Sequence, residues 1–599
     1  MTVIRFLIEK YAMGGKKTLY ACFFDLRKAF DTVDRSILFF KILQKYKIGG
    51  KFLKILRNMY ENNKMYIKVT SGLTTPFITT VGVKQGCVLS PLIFNIFIND
   101  LMDQFNDQCD PVVIHDQKVQ ALMFADDVVV FSQSATGLKT AINITTNFFN
   151  ENNLSVNYTK SQVMIFNARG VLLDGHPEHV FHADGQQLKV VSEYTYLGFK
   201  LVPSGTVSYG ADELFCKSRR SWFAISNLIF KHKRISTDKA FQIFDQLVTS
   251  IGTYNCEAWL PLIMTKKSFR SSDLLLSFWE TFKLETLNQK ISRMVFGVHK
   301  KSSRLGVLGE LGRFPLFIKG LCHVMKYHAR LNKLTNPNSL IFKAVQEMKT
   351  VNDDQLKTWW GRTEKLKELL ELNYSNYSNI DCIDKKIKYY VKSKFESYWI
   401  KSINDIKLGP DGHNRNKLRF YSKIKGCFKK EPYIDLVPNR SQRADLTRLR
   451  ISSSRLAIEV QRYQRPYVPA DLRYCKYCRP LDNNMTDLEG QVDDEYHFLA
   501  NCGTFQFKRN CFLSRYETIH PDITNMSNQS MVHTILCPTS TIKTKLANKY
   551  IKIMFETRKQ LDEGIPIFNL GYEMGIEINP FFDDDNDNDS DCDISINDP

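Results

Sequence analysis

Phe124-Ala125-Asp126-Asp127 places two adjacent carboxylates inside an apolar run, with Ala121-Leu122-Met123 before them and Val128-Val129-Val130-Phe131 after. A buried, unpaired charge is strongly disfavoured, so acids in such a setting need a cation or a partner. The flanks have the length and composition of two short β-strands. A pair of acids at the tip of that hairpin suits a divalent cation, which takes oxygen ligands. An ordinary turn device is the plain alternative.

A third acid of the same kind lies upstream. Leu19-Tyr20-Ala21-Cys22-Phe23-Phe24 is predicted to be a buried strand that ends at Asp25. An amphipathic stretch from Val33 to Leu43 follows. Asp25 alone would be an unremarkable helix-capping acid. With Asp126 and Asp127 it makes three carboxylates on neighbouring strands. That supplies enough oxygen for two Mg²⁺ ions about 3.5–4 Å apart, the clamp used in nucleotidyl transfer. Between the acids lies Val81-Gly82-Val83-Lys84-Gln85-Gly86-Cys87-Val88-Leu89-Ser90-Pro91-Leu92, a glycine-punctuated loop that leads into a helix. Ser90 is the expected N-cap and Pro91 the first helical residue.

These segments, with Asn157-Tyr158-Thr159-Lys160 and Tyr196-Leu197-Gly198 after them, resemble the reverse transcriptase domain of non-LTR (LINE-type) retrotransposons. Five motifs occur in order over roughly residues 1–205. Phe24 to Asp31 resembles the first palm motif, Gly82 to Pro91 the second, Phe124 to Asp127 the third, Asn157 to Lys160 the fourth and Tyr196 to Gly198 the fifth. The resemblance implies an α+β fold: a polymerase palm of antiparallel sheet plus helices, then a helical thumb, a largely helical C-terminal region and a small zinc knuckle. It implies RNA-directed DNA polymerisation by two-metal nucleotidyl transfer for target-primed synthesis. RNA template, DNA primer or target, and deoxynucleoside triphosphates are the expected partners. Asp25, Asp126 and Asp127 are the implied Mg²⁺ ligands. Phe30 falls at the position of the steric gate that excludes ribonucleotides; a plain core residue is the alternative. Gln85 and Gly86 are implied to line the nucleotide and template site. Lys160 is implied to lie near the triphosphate and to donate a proton to pyrophosphate, an effect typically worth about 10²–10⁴-fold. A solvated lysine is its alternative.

A second cluster of chemically capable residues is Cys475-x₂-Cys478 followed by His497-x₄-Cys502. Two ligands on a tight knuckle and two on a later segment satisfy tetrahedral Zn²⁺, and such small sites are normally structural. The set resembles the C-terminal knuckle of the same elements. Arg473 and Arg479 flank it as candidate phosphate contacts.

The 599 residues lead us to expect two to four domains. The expected segments are a palm over 1–205, a thumb and post-palm region over 206–330, a helical, basic connector over 331–440, a C-terminal region over 441–575 with the knuckle at 475–502, and an acidic, disordered tail over 576–599. The thumb carries Arg219, Arg220, Lys231, Lys233 and Arg234, which either face a duplex or form a solvated surface. Leu331 to about Asp405 is expected to be one long helical stretch, and Leu408-Gly409-Pro410-Asp411-Gly412 a linker. Beyond it, Arg415, Lys417, Arg419, Lys423, Lys425, Lys429 and Lys430 alternate with Phe420, Tyr421 and Phe428. That pattern suits single-stranded RNA, with aromatics stacking on bases; an ordinary basic surface is the alternative.

A net charge of +19 suits a polyanionic partner. No apolar run approaches the roughly 20 residues that span a bilayer, so no membrane association is expected. Fourteen dispersed cysteines in so long a chain argue for a reducing, intracellular setting over a disulfide scaffold. The resemblance adds nuclear and cytoplasmic location. Only 24 residues precede Asp25, so a product shortened at its N-terminus, without fingers or endonuclease, is expected. Two readings follow: an active polymerase, or a non-catalytic nucleic-acid-binding remnant of such an element.

Overall fold

The computed structural model describes all residues except 15–16, 62–63, 232–234, 352–355, 374–379, 406–415, 438–439, 479–490 and 565–599. The expected linker, the acidic tail, the loop between the halves of the Cys/His set, and Lys233, Arg234, Arg415 and Arg479 lie outside the described residues. The fold is mixed α+β. The chain divides into two compact units, Met1–Ile291 with Phe314–Trp399, and Ser292–Arg313 with Ile400–Pro599. These borders differ from the five expected segments, because residues 292–313 and 314–399 each join a unit that their sequence neighbours do not.

The first unit opens with helix α1 (Thr2–Leu7), and eight of the fourteen strands among its described residues frame the acid site. They are β1 (Leu19–Phe24), β2 (Ala121–Phe124), β3 (Asp127–Ser132), β4 (Gln162–Phe166), β5 (Phe181–Ala183), β6 (Gln186–Val190), β7 (Tyr194–Tyr196) and β8 (Phe199–Leu201). Six form one sheet in the order β5-β6-β4-β1-β3-β2, and β7 pairs with β8 separately. All pairings are antiparallel except β4 with β6.

Strand alternation gives the sheet two faces. Cys22, Phe24, Val128, Val130, Val163 and Ile165 share one face and enter the main core. Helices α2 (Arg35–Gln44), α3 (Gly50–Tyr60), α4 (Ser90–Ile98) and α5 (Ala135–Glu151) supply the rest of that core. Phe24 meets Phe149 of α5 edge to face, with centroids 5.7 Å apart. On the other face Phe23 stacks on Tyr194 of the β7–β8 hairpin at 4.3 Å. Helix α4 starts earlier than expected. Ser90 is already helical, and its hydroxyl donates to the Lys84 carbonyl (2.6 Å) where capping was predicted.

Helix α6 (Ser208–Lys231) begins a helical remainder. The single stretch expected from Leu331 is broken into the end of a helix Leu316–Asn332, then Leu340–Thr350, Trp359–Leu369 and Ile380–Asn404. Local chemistry makes the breaks. Asn336-Pro337-Asn338 interrupts the first, and the Ser339 and Thr358 hydroxyls cap the next two by accepting from the Phe342 and Gly361 amides. Among the described residues no helix is long and apolar enough to cross a membrane.

The second unit is held by buried charge. Arg450 is fully buried and donates to both carboxylate oxygens of Glu310 at 2.8 and 3.0 Å, and to the Leu536 carbonyl at 2.6 Å. Tyr433 donates to Glu310 as well, at 2.7 Å. The basic, aromatic stretch after residue 415 is largely built into the fold, with Lys423 and Lys429 left exposed. Phe420, Tyr421 and Phe428 are buried core residues. Arg419 pairs with Glu459 (2.8 Å) and Glu495 (3.1 Å), Lys425 with Glu431, and Lys430 with Asp435 (2.5 Å). Lys417 donates to the Lys301 carbonyl. The acids that neutralise Arg419 come from distant segments, which a local window of sequence does not contain, whereas Glu431 and Asp435 lie next to the lysines they pair with.

Candidate active site and metal centre

β1 and β3 run antiparallel with Phe24 opposite Val128. One residue further, the same register sets Asp25 opposite Asp127. Such cross-strand neighbours point to one face with Cβ atoms about 4.5–5.5 Å apart. Asp126 sits on the two-residue turn joining β2 and β3, whose first residue, Ala125, has a left-handed φ of 53°. The three acids thus collect at one end of the sheet. Asp126 is exposed, while Asp25 and Asp127 are half-buried.

Asp25 is fixed from the segment before β4. The Asn157 side chain donates to Asp25 Oδ2 at 2.9 Å, and the Asn157 amide to the Asp25 carbonyl at 2.7 Å. The Asp25 amide donates to Ser161 Oγ at 3.0 Å. Lys160 Nζ stands 4.0 Å from Asp25 Oδ2. Burial raises the Asp127 carboxyl above its usual range, and the charges of Asp126 and Asp25 add to this. Burial and Asp127 also push up the Tyr194 and Tyr196 hydroxyls. Concentrated negative charge on hard oxygen donors, partly open to solvent, fits divalent cations.

Phe30 lies on a one-turn helix, Ala29–Thr32, and stacks on Phe94 of α4 at 5.1 Å. The second-motif loop is bonded to this turn. The Val83 amide donates to the Phe30 carbonyl (2.7 Å) and the Gly82 amide to the Val33 carbonyl (2.8 Å). Gln85 Nε2 donates to Asp31 Oδ1 at 3.0 Å. Gly86 is exposed at φ 78°. Arg35 was missed in the sequence. Its guanidinium donates to the carbonyls of Tyr60, Thr79, Val81 and Gly82 at 2.6–2.9 Å, tying α3 and the loop entry to α2. Nothing in its local pattern marks it. Asn157 opens the fourth motif and Ser161 follows it, so both stood in a segment already singled out, though their contact with Asp25, more than 130 residues away, is made only by the fold.

In the second unit Cys475, Cys478, His497 and Cys502 converge, their ligand atoms all within 4.8 Å of one another. Cys478 Sγ lies 3.3 Å from His497 Nε2 and 2.9 Å from Cys502 Sγ. His497 Nδ1 meets Gln491 Oε1 at 2.7 Å. A proton held on Nδ1 by that oxygen leaves Nε2 free toward the thiols, as in metal-ligating histidines. Cys475 is held low by a hydrogen bond from Cys502, whose own thiol is correspondingly raised. Three soft sulfurs and one imidazole suit a tetrahedral metal ion. Arg473 is not a phosphate contact: it is buried and donates to the Val468 and Ile458 carbonyls.

Residues 4–201 match the family of reverse transcriptases (RNA-dependent DNA polymerases). The chain is 25% identical, over 34% of its length and 19% of the other's, to the retrovirus-related Pol polyprotein of the type-2 retrotransposable element R2DM of Drosophila melanogaster. It is 22% identical, over 54% of its length and 33% of the other's, to the probable RNA-directed DNA polymerase from transposon X-element of the same fly. The matched stretches thus span a fifth to a third of these relatives. A solved telomerase from Candida tropicalis is similar over 65% of this chain and 55% of its own, at 10% identity and a TM-score of 0.28. Residues 4–201 are thus similar to reverse transcriptases, and the matched relatives are polymerases of transposable elements.

Proposed function

We propose that this chain is an RNA-directed DNA polymerase extending a DNA primer with deoxynucleoside triphosphates on an RNA template. The observation that carries this is the register that sets Asp25 opposite Asp127, with Asp126 on the adjoining turn. Asp25, Asp126 and Asp127 are the ligands for two Mg²⁺ ions, which when bound neutralise phosphate charge and favour ionisation of the attacking hydroxyl. Asn157 holds the Asp25 carboxylate toward the cleft. Phe30, braced on Phe94, lies where a bulky sugar substituent would meet it. Gln85 and Gly86 present polar and open backbone surface to the template side. Lys160, beside Asp25, is placed to give a proton to the departing pyrophosphate. Cys475, Cys478, His497 and Cys502 hold a structural Zn²⁺.

The ion pairs of Arg419, Lys425 and Lys430 remove part of the basic stretch from a purely binding remnant, which would then lean on the thumb and the knuckle. Magnesium-dependent primer extension on an RNA template is the test. Asp126→Asn should lower extension by at least about 10²–10³-fold, the scale of losing one preorganised electrostatic group, and leave RNA binding intact. Wild-type chain that binds RNA yet never extends a primer would sink the polymerase reading and restore the remnant.

A further inference from the structure

The helix Ile380–Asn404 has a face its packing does not use. Ile383, Ile387, Val391 and Phe395 are buried. Lys385, Lys388 and Lys392 recur at spacings of three and four with Tyr389 among them, so the four form one stripe over about 10 Å of helix. Lys385 and Lys388 are exposed, and Tyr389 is 70% exposed. The neighbouring Tyr390 meets Tyr389 edge to face at 5.9 Å. Lys392 lies 4.4 Å from the ring centroid of Phe314.

Among the described residues these three lysines form no ion pair, unlike Arg419, Lys425 and Lys430. Of the nearby acids, Glu396 lies one turn from Lys392 and its charge acts on that lysine without an ion pair, while two others are engaged elsewhere. Asp384 accepts from Arg330 at 2.6 Å with Lys326 at 3.8 Å, and Glu371 pairs with Lys394 at 2.7 Å. Lys326, Lys388 and Lys392 all act on Cys322, so their charges converge. Burial lowers Lys392, and Lys388 lowers it further. Lys385 and Lys388 therefore present positive charge that no ion pair among the described residues offsets, next to the exposed ring of Tyr389.

We propose that this lysine–tyrosine stripe binds a single-stranded polynucleotide, with the lysines on phosphates and Tyr389 stacked on a base. Exposed rings interleaved with cations fit a strand with accessible bases. The stripe lacks the aliphatic anchors that a peptide-binding groove would present. The polymerase reading bears only on which strand is held, so binding is measured apart from catalysis.

The experiment uses the full chain and a labelled uridine homopolymer longer than one binding site (about 4–16 nucleotides). Replacing Lys385, Lys388 and Lys392 by Gln should lower the slope of log affinity against log salt by about 2, from three contacts at about 0.7 each. Tyr389→Ala should weaken single-strand binding about 5- to 150-fold and leave duplex binding unchanged. Thermal unfolding of both variants should match wild type. An unchanged salt slope in the folded triple variant overturns the proposal. So does equal loss on duplex and single strand with no effect of Tyr389→Ala. Loss of polyglutamate binding with the oligonucleotide unaffected would assign the face to an acidic protein and also overturn it.

Discussion

Gly82 and Gly86 bracket the loop that carries Gln85, and the structure gives them opposite tolerances. Both have left-handed backbone, φ +84° and +78°, so alanine at either costs about 1–2 kcal/mol. At Gly86 a Cβ would meet nothing within 4 Å, and the cost stops there. At Gly82 it would lie 2.7 Å from the Asp31 carbonyl oxygen and 3.0 Å from Asp31 C and Cα. All three are backbone atoms that no side-chain rotation moves aside. Overpacking of that kind adds about 1–3 kcal/mol, giving about 2–5 kcal/mol for Gly82→Ala. The strain falls on the two bonds at the contact, from the Gly82 amide to Val33 and from the Val83 amide to Phe30. Native-state hydrogen exchange reads them directly. Gly82→Ala should speed exchange of the Val83 amide by about 30- to 5,000-fold, and Gly86→Ala by no more than about 30-fold. In primer extension Gly82→Ala should lose about 10²-fold, the scale of an ångström of misplacement. Equal Val83 protection in the two variants would refute the argument that this loop is positioned by its contact with the Asp31 turn.

Arg450→Met should destabilise the second unit by about 3–5 kcal/mol, because Glu310 stays buried without its main cation. Adding Glu310→Leu should recover most of that in denaturant melts, and a double variant weaker than the single would contradict it. His328 is fully buried with Nε2 3.0 Å from Glu364 Oε1, and burial lowers its pKa from 6.5. A lowered histidine contributes stability above the unfolded value that is lost as pH falls through the folded one. Glu364 is held down to about 2, first by the His328 hydrogen bond, so its contribution is complete above 4.5 and lost toward 2. Both effects weaken the fold on acidification. His328→Phe should flatten the loss of stability below pH 6.5, and a stability profile parallel to wild type would count against the pair. One zinc per chain is expected by mass spectrometry, and Cys502→Ser should lose it. Amides near Arg558, which pairs with Asp493 at 2.7 and 2.9 Å beside the Cys/His cluster, should then exchange faster. Unchanged zinc content in that variant would exclude the cluster as the site.

Much of the acid site was legible because its information is local. Apolar alternation around Ala121–Ser132 and Leu19–Phe24 fixes two strands, and a charge at the end of each strand survives only if it faces a cleft. The Cys/His set was legible for a similar reason, since four soft ligands at tight spacing have few other uses. The caps at Ser339 and Thr358 were present in the sequence but hidden by a helical pattern on both sides. Arg35 was not legible. Its role is to satisfy four carbonyls that only the folded path of residues 60–82 brings together, and nothing about one arginine predicts that convergence.

Charge runs misled for a physical reason that also separates the two basic segments of this chain. Arg419 finds its acids 40 and 76 residues away, at Glu459 and Glu495, so a local window finds that cation and not its partners. A lysine already paired and buried, as Lys425 is with Glu431, must break that pair and rehydrate before it can meet a phosphate. Its charge is spent on the fold. Lys385 and Lys388 are exposed and carry no such pair, so a phosphate replaces only water and counterions. The same criterion sorts the acids. Glu310 is surrounded by donors, whereas Asp127 is raised by burial and, beyond that, by two neighbouring carboxylates. The chain neutralises the charges that build its core, and among the described residues it leaves Asp126 and Asp127 at the sheet end and Lys385 and Lys388 on the Ile380–Asn404 helix without an ion pair. Uncompensated charge is costly to the fold, so a ligand of opposite sign is the most economical reason for both to persist.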